Sequence, residues 1–298
     1  MNNLEFFLTR AEALLQRVEQ VLPSPPPAPD WAASAAFRWR KRGGQGFLQP
    51  VAHPHHIRLA DLQGVEEQKK QIDRNTRQFV RGLPANNVLL TGARGTGKSS
   101  LIKAVLNQYA AKGLRLIEVE RMELVDLPEI VEVLCRRPER FIVFCDDLSF
   151  DAGEPGYRAL KVALDGSVAA PSENVLIYAT SNRRHLMPEY MAENLETTTV
   201  DGEIRPGETT EEKVSLSERF GLWLSFYPFS QDEYLAIARY WLAQLGVAEA
   251  DSEEVRREAL QWALGRGSRS GRSAWQFARD WAGRMGLKAN IRSKKGMP

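Results

Sequence analysis

Gly92-Ala93-Arg94-Gly95-Thr96-Gly97-Lys98-Ser99 has the G-x4-G-K-S spacing, followed by Ser100. These residue types suit capture of a polyphosphate. Glycines let backbone N–H groups turn inward without a Cβ clash. A helix opening at Lys98 would add partial positive charge facing the anion. The Lys98 ammonium reaches terminal phosphates, and the Ser99 hydroxyl is a hard ligand suited to Mg2+. Residues Gly92 to Ser100 are therefore the expected contacts for ATP.

A second acidic pair answers this loop. Phe141-Ile142-Val143-Phe144-Cys145 is a continuous apolar run that ends in Asp146-Asp147. A buried strand of this kind delivers Asp146 beside the loop, where with Ser99 it would hold the metal. Asp147 is then placed to orient attacking water as a base.

The elements that must position these residues follow from apolar patterning. Val88–Leu90, Leu114–Val119, Phe141–Cys145, Val175–Ala179 and Leu222–Phe226 read as buried strands. Helical stretches lie between them at 98–112, 128–137 and 155–168. Strand–helix alternation with continuous apolar strands implies a parallel sheet covered on both faces. From Gln231 the pattern is wholly helical, at 231–245, 252–264 and 271–285, and predicts a separate small domain.

On these residues the chain resembles the AAA+ P-loop ATPases over roughly 57–286. Leu59-Ala60-Asp61-Leu62-Gln63-Gly64-Val65 is similar to the segment that packs on adenine in that superfamily. Leu164-Asp165-Gly166 and then Val175 through Thr180-Ser181-Asn182-Arg183 resemble the stretch ending in the sensor-1 asparagine. The resemblance implies that Asn182 contacts the γ-phosphate and the water. Ser217-Glu218-Arg219-Phe220-Gly221 resembles the arginine-finger box, which implies that Arg219 acts on a neighbour's ATP in a homo-oligomer. Gly271-Arg272 resembles sensor 2, in which arginine touches the γ-phosphate from the lid.

The runs 144–150, 178–186 and 217–226 are similar to a bacterial family of AAA+ ATP-binding proteins of unassigned role. The chain departs from the common pattern at Asp147, where glutamate is usual. The carboxylate is shorter by one methylene, and a misplacement of about 1 Å can cost about 10²-fold in rate.

The predicted architecture is a three-layer α/β core with a parallel five-stranded sheet at 57–229 and a helical lid at 230–298. Ahead of them lie an amphipathic helix over 1–22 and a proline-rich, basic-aromatic linker over 23–56. In the helix, Leu4, Phe7, Leu8, Ala11, Leu14, Leu15, Val18 and Leu22 recur at helical spacing, which implies docking on the body of the chain or on a neighbouring copy, with a membrane surface or a partner as the alternatives. Within the linker, Phe37-Arg38-Trp39-Arg40-Lys41-Arg42 offers aromatic faces among cations, a composition suited to nucleic acid or to a docked basic turn.

Charge is uneven although the formal net value is only +2. Residues 189–218 carry nine acidic and two basic side chains; residues 256–298 carry eleven basic and two acidic. A long acidic loop is expected at 193–215. His53, His55 and His56 have no accompanying cysteine or carboxylate pattern, so no metal site is expected there. The only cysteines, Cys135 and Cys145, lie in apolar runs and are expected as reduced core residues of a cytoplasmic protein. No run approaches the roughly 18 apolar residues that suit a membrane span.

These features imply a Mg2+-dependent ATPase, slow as a monomer, that remodels or loads a protein partner of unknown identity. A DNA-associated ATPase and a nucleotide-gated scaffold with little hydrolysis are the alternatives.

Overall fold

The computed structural model describes residues 3–21, 28–150, 154–165, 172–182, 198–200, 203–205 and 218–295. Its centre is the five-strand parallel set expected from the apolar runs: β3 (Val88–Gly92), β4 (Leu114–Val119), β5 (Arg140–Cys145), β6 (Val175–Ser181) and β9 (Leu222–Phe226). The order β4-β5-β6-β3-β9 places the phosphate-loop strand β3 between β6 and β9.

Every parallel strand here is apolar on both sides, and the reason is visible in β5. Ile142 and Phe144 face one core, while Phe141, Val143 and Cys145 face the other. β6 divides the same way, with Leu176 and Tyr178 opposite Val175, Ile177 and Ala179. Successive strand side chains point to opposite faces, so a sheet covered twice has no polar face. One cover is α2 (Glu66–Val80) with α3 (Lys98–Tyr109); the other is α4 (Leu127–Cys135) with α5 (Pro155–Asp165). Tyr178 is fully buried, yet its hydroxyl accepts from Asn75 Nδ2 at 3.0 Å and pairs with Thr76 Oγ1 at 2.9 Å.

The sheet has seven strands, two more than expected, because residues read as linker form a hairpin. β1 (Ala36–Arg42) runs parallel to β4, and β2 (Gln45–Pro50) runs antiparallel to β1. The basic-aromatic run is therefore sheet. Phe37 and Trp39 are buried, and Trp39 Nε1 donates to Asp126 Oδ2 at 3.0 Å. Arg38 pairs with Glu118 at 2.7 Å, Arg40 with Glu120 at 2.6 Å and Lys41 with Asp126 at 2.6 Å. Alternation accounts for the split: Phe37 and Trp39 face the core, Arg38 and Arg40 face the other way toward Glu118 and Glu120, and Lys41, on the Trp39 side, shares Asp126 with the indole. The aromatic faces are not available to stack on bases, and three of the cations already have carboxylate partners.

The lid consists of α6 (Gln231–Gln244), α7 (Glu253–Gly265) and α8 (Gly271–Lys295). α6 starts at a reciprocal cap: Glu233 N donates to Ser230 Oγ at 3.3 Å and Ser230 N to Glu233 Oε2 at 2.7 Å. Tyr234, Phe277 and Trp281 join the core on the α2–α3 side, so lid and sheet share apolar packing.

Two other expectations change. Cys145 is buried, but Cys135 is exposed at the end of α4. The N-terminal helix α1 (Asn3–Val21) forms, yet among the described residues the body of the chain leaves its apolar side uncovered. Leu4, Phe7, Leu8, Leu14 and Leu15 are each 53–67% exposed. Of the acidic segment, only β7 (Thr198–Val200) paired with β8 (Glu203–Arg205) and the stretch from Glu218 are described. Gly166, Arg183, His185 and Ser217 lie outside the described residues. Among the described residues, no helix is long and apolar enough to cross a membrane.

Candidate functional site

The phosphate loop leaves β3 at Gly92, crosses to Gly97 and opens α3 at Lys98. Its tightness depends on glycine at two points. Gly92 has φ +124°, and an added Cβ would meet the Phe226 carbonyl oxygen of β9 at 1.9 Å. Gly97, the residue capping α3, is left-handed at φ +102°. Ala93 N donates to Phe226 O at 3.1 Å, and Thr96 Oγ1 to Ala93 O at 2.8 Å, which fixes the loop against the sheet and on itself.

Lys98 is the buried cation of this loop. Its ammonium donates to Gly92 O at 2.7 Å, Ala93 O at 2.8 Å and Asn182 Oδ1 at 2.9 Å. Burial lowers its pKa from the ordinary lysine value; Asp147 and Asp146 oppose that shift, and Arg272 and Arg94 add to it. All three hydrogen-bond acceptors are neutral oxygens. A buried cation so placed favours an arriving anion, and that is the fit expected for a phosphate group.

β5 ends where the sequence places the acidic pair. Ser99 Oγ donates to Asp146 Oδ1 at 2.6 Å, which brings a hydroxyl and a carboxylate together as hard oxygen ligands suited to Mg2+. Thr180 Oγ1, on β6, donates to the same Asp146 oxygen at 2.5 Å and accepts from Asp147 N at 2.9 Å. Leu148 N donates to Thr180 O at 2.7 Å. Asn182 Nδ2 donates to Asp147 Oδ1. Ser99, Asp146, Thr180, Asp147, Asn182 and Lys98 thus form one hydrogen-bonded chain around the loop. Thr180 belongs to no motif of its own; its signal in the sequence is a hydroxyl residue two positions before Asn182 on a fully buried strand.

Asp147 has φ +52°, the single positive value at a non-glycine among the described residues. The left-handed region costs an L-residue roughly 1–2 kcal/mol, and aspartate enters it more readily than glutamate. That backbone requirement supplies a physical reason for aspartate at this position.

The cavity around these groups has a volume of about 790 Å3. Its polar lining includes Arg94 to Ser100, Asp146, Asp147, Thr180, Asn182 and Arg272, and its apolar lining Ile57, Leu62, Phe229, Ile237, Trp241 and Trp275. Trp241 and Trp275 meet edge to face at 4.6 Å. Trp275 is a cavity wall. His55 and His56 stand at this wall too, and Asn107 Nδ2 donates to His55 O at 2.7 Å. Among the described residues, no group of three or more His, Cys, Asp or Glu could hold a metal.

Lid and core meet across this cavity. Arg272 N donates to Gly95 O at 3.2 Å, joining α8 to the phosphate loop. Tyr240 Oη donates to Asp61 Oδ1 at 2.7 Å, and Arg58 forms an ion pair with the same carboxylate at 2.7 Å. Burial would raise the Asp61 carboxyl, but the Arg58 guanidinium and amide and the Tyr240 hydroxyl outweigh it and lower its pKa.

Arg219 stands apart from the cavity. β9 and β3 are parallel with Leu222 opposite Val88 and Phe226 opposite Gly92, so Arg219 precedes the strand at the end far from the loop. Five residues of strand separate the two ends by about 16 Å. Arg219 Nε donates to Asp165 at 2.6 and 2.7 Å.

This strand order, a glycine-rich loop between β3 and α3, an acidic pair ending β5 and a helical lid closing on the loop define a P-loop protein of the AAA+ type. The chain belongs to the family described as Protein of unknown function (DUF815), whose profile matches residues 32–285. It is 34% identical over 85 residues to the Arabidopsis thaliana ATP-dependent zinc metalloprotease FTSH 9, chloroplastic, covering 26% of this chain and 10% of that protein. It is 32% identical over 109 residues to the 26S proteasome regulatory subunit 4 homolog of Encephalitozoon cuniculi, covering 32% of this chain and 26% of that one. The chain thus spans between a tenth and about a quarter of the length of these relatives. Solved structures of Thermotoga maritima RuvB align over 74% of this chain and 63% of theirs, with TM-scores of 0.46 and 0.48 at 18% and 16% identity.

Proposed function

We propose that this protein binds ATP with Mg2+ and hydrolyses it, and that movement of the lid against the core transmits the result to a protein partner. The observation that carries this reading is the hydrogen-bonded chain from Ser99 through Asp146, Thr180, Asp147 and Asn182 to Lys98. It joins a cation for phosphate, a ligand pair for metal and a base for water on three adjacent parallel strands and the loop between them.

In this reading Lys98 and the loop amides from Gly92 to Ser100 hold the phosphates. Ser99 and Asp146 would hold Mg2+, which supplies charge neutralisation on the phosphate oxygens. The apolar wall of Ile57, Leu62, Ile237 and Trp241 suits the adenine ring. Asp147 and Asn182 orient a water toward the γ-phosphorus. The water oxygen bonds to phosphorus, the bond to the bridging oxygen of ADP breaks, and the water proton passes to the Asp147 carboxylate. Arg272, on the lid, meets developing charge on the phosphate. Arg219, at the far end of the sheet, serves the site of a neighbouring copy.

Lys98→Ala tests the cradle by calorimetry: tight ATP binding should disappear, and unchanged affinity would refute the assignment. Arg219→Ala should keep ATP binding and lose turnover. Mixing Arg219→Ala with Asp147→Asn should restore part of it, because each chain supplies what the other lacks. Arginine fingers contribute about 10³–10⁵ in rate, so the isolated monomer is expected to be slow. The ion pairs of Arg38, Arg40 and Lys41 favour a protein partner over nucleic acid for this reading. Turnover that rises when duplex or single-stranded DNA is added would reverse that preference.

A further inference from the structure

The amphipathic helix α1 carries chemistry that the nucleotide site does not use. At 100° per residue, Leu4, Phe7, Leu8, Ala11, Leu14 and Leu15 occupy a stripe roughly 120° wide. These positions repeat by seven: Leu4 with Ala11, Phe7 with Leu14, Leu8 with Leu15. A seven-residue apolar repeat is the pattern that seats one helix against others like it. Three apolar positions per heptad make a face wider than a two-helix seam needs. Leu4, Phe7, Leu8, Leu14 and Leu15 are exposed, so the rest of the described chain leaves the stripe bare.

Charge flanks the stripe unequally. Glu5 and Glu12 lie about 100–120° to one side of its centre, and Arg10 and Arg17 about as far to the other. One edge is acidic and the other basic. Two such helices packed antiparallel would set like edge against like edge. Packed parallel, the basic edge of one meets the acidic edge of the next, in a pair as in a larger ring. The same two arginines and two glutamates argue against a lipid surface, because interfacial helices carry a polar face rich in Lys and Arg.

We propose that α1 is an assembly helix that packs in parallel against α1 of further copies of this chain, with the Arg10–Arg17 edge of each meeting the Glu5–Glu12 edge of its neighbour. A helix of 19 residues is marginal on its own in water. The seam therefore works together with whatever else brings the bodies close, which raises the effective concentration of the helices. A basic edge set on an acidic edge fits closed parallel assemblies, and the three-position apolar face suits more than two helices.

The experiment is sedimentation velocity on the full chain without nucleotide, over a range of protein concentrations. Leu8→Glu with Leu15→Glu should weaken self-association about tenfold or more. Phe6→Glu with Ala13→Glu adds the same charge at the same spacing off the stripe and should change it little. Arg10→Gln with Arg17→Gln fixes the direction: a parallel seam weakens, whereas an antiparallel one strengthens. ATP affinity of each variant, measured in parallel, reports that the body stays folded. Repeating the seam variant in an Arg219→Ala background separates this inference from the catalytic one, since the seam effect should persist when trans catalysis is lost. A wild-type chain that stays monomeric, equal effects of the two glutamate pairs, or stronger association on removing the arginines each overturn the proposal. So does flotation of the wild-type monomer with phosphatidylserine vesicles, which would make a lipid surface the occupant.

Discussion

Lys98 Nζ donates to Asn182 Oδ1 at 2.9 Å, joining the first residue of α3 to the end of β6. The same Asn182 donates through Nδ2 to Asp147, so its amide lies between the Lys98 ammonium and the Asp147 carboxylate, for which we propose phosphate binding and water orientation. Asn182→Ala should therefore leave ATP affinity within a few-fold and lower turnover by about 10²-fold, the scale of a misplaced reactant. Asn182→Asp is expected to do the opposite to binding. A carboxylate beside Lys98 competes with phosphate for the ammonium, and ATP affinity should fall. Calorimetry and phosphate release on the two variants separate these effects.

Thr180 supports both acidic residues through one oxygen. Thr180→Val removes a donor to Asp146 and leaves the part-buried Asp147 N without its acceptor, a loss of about 0.5–1.5 kcal/mol. The left-handed turn at Asp147 should relax with it. Thermal unfolding should show the loss, and turnover should fall at least about tenfold. Thr180→Ser keeps the hydroxyl and should recover most of the activity; a serine variant as poor as valine would mean that packing, not the hydroxyl, matters.

The lid latch makes a prediction about pH. The Asp61 carboxyl is held below its ordinary value of 3.8, so the folded state favours its charged form. The contribution to stability is fully present above 3.8 and fades as pH falls below it through the lowered folded value. Tyr240→Phe removes one hydrogen bond to this carboxylate. It should lower the melting temperature at neutral pH and speed amide exchange across 231–244, and its difference from wild type should shrink near pH 3. A pH-independent difference would mean that Tyr240 acts through packing alone.

The two cysteines should differ sharply toward alkylation. Burial, with a smaller push from Asp146, raises the Cys145 thiol to about 12, while Cys135 is exposed. Thiolate is the reactive form, so native protein at neutral pH should take one iodoacetamide label, at Cys135, and unfolded protein two. Mass spectrometry of digests reads the outcome. Rapid labelling of Cys145 in the native state would show that the end of β5 opens to solvent.

Much of this site could be read from the chain alone, and the reason is local. The G-x4-G-K-S spacing fixes a loop between strand and helix because backbone sterics permit few other solutions, and an apolar run ending in two aspartates must stop at the surface of a sheet. Gly92 to Ser100, Asp146 and Asp147 come together by that logic, as do the five parallel strands and the helical lid, whereas Asn182 came only from the resemblance to the AAA+ ATPases. The hairpin at 36–50 did not. Its residues look polar and basic until β4 supplies Glu118, and the turn beyond it Glu120 and Asp126, and pairing of that kind is settled only by which strands become neighbours. Thr180, the Asp61–Tyr240 latch and the aromatic wall of Trp241 and Trp275 were hidden for the same reason, since each joins residues far apart in sequence. The helix α1 stands at the boundary: its period and charge were legible at once, but only the folded chain showed that the described residues of its own body leave the apolar stripe uncovered.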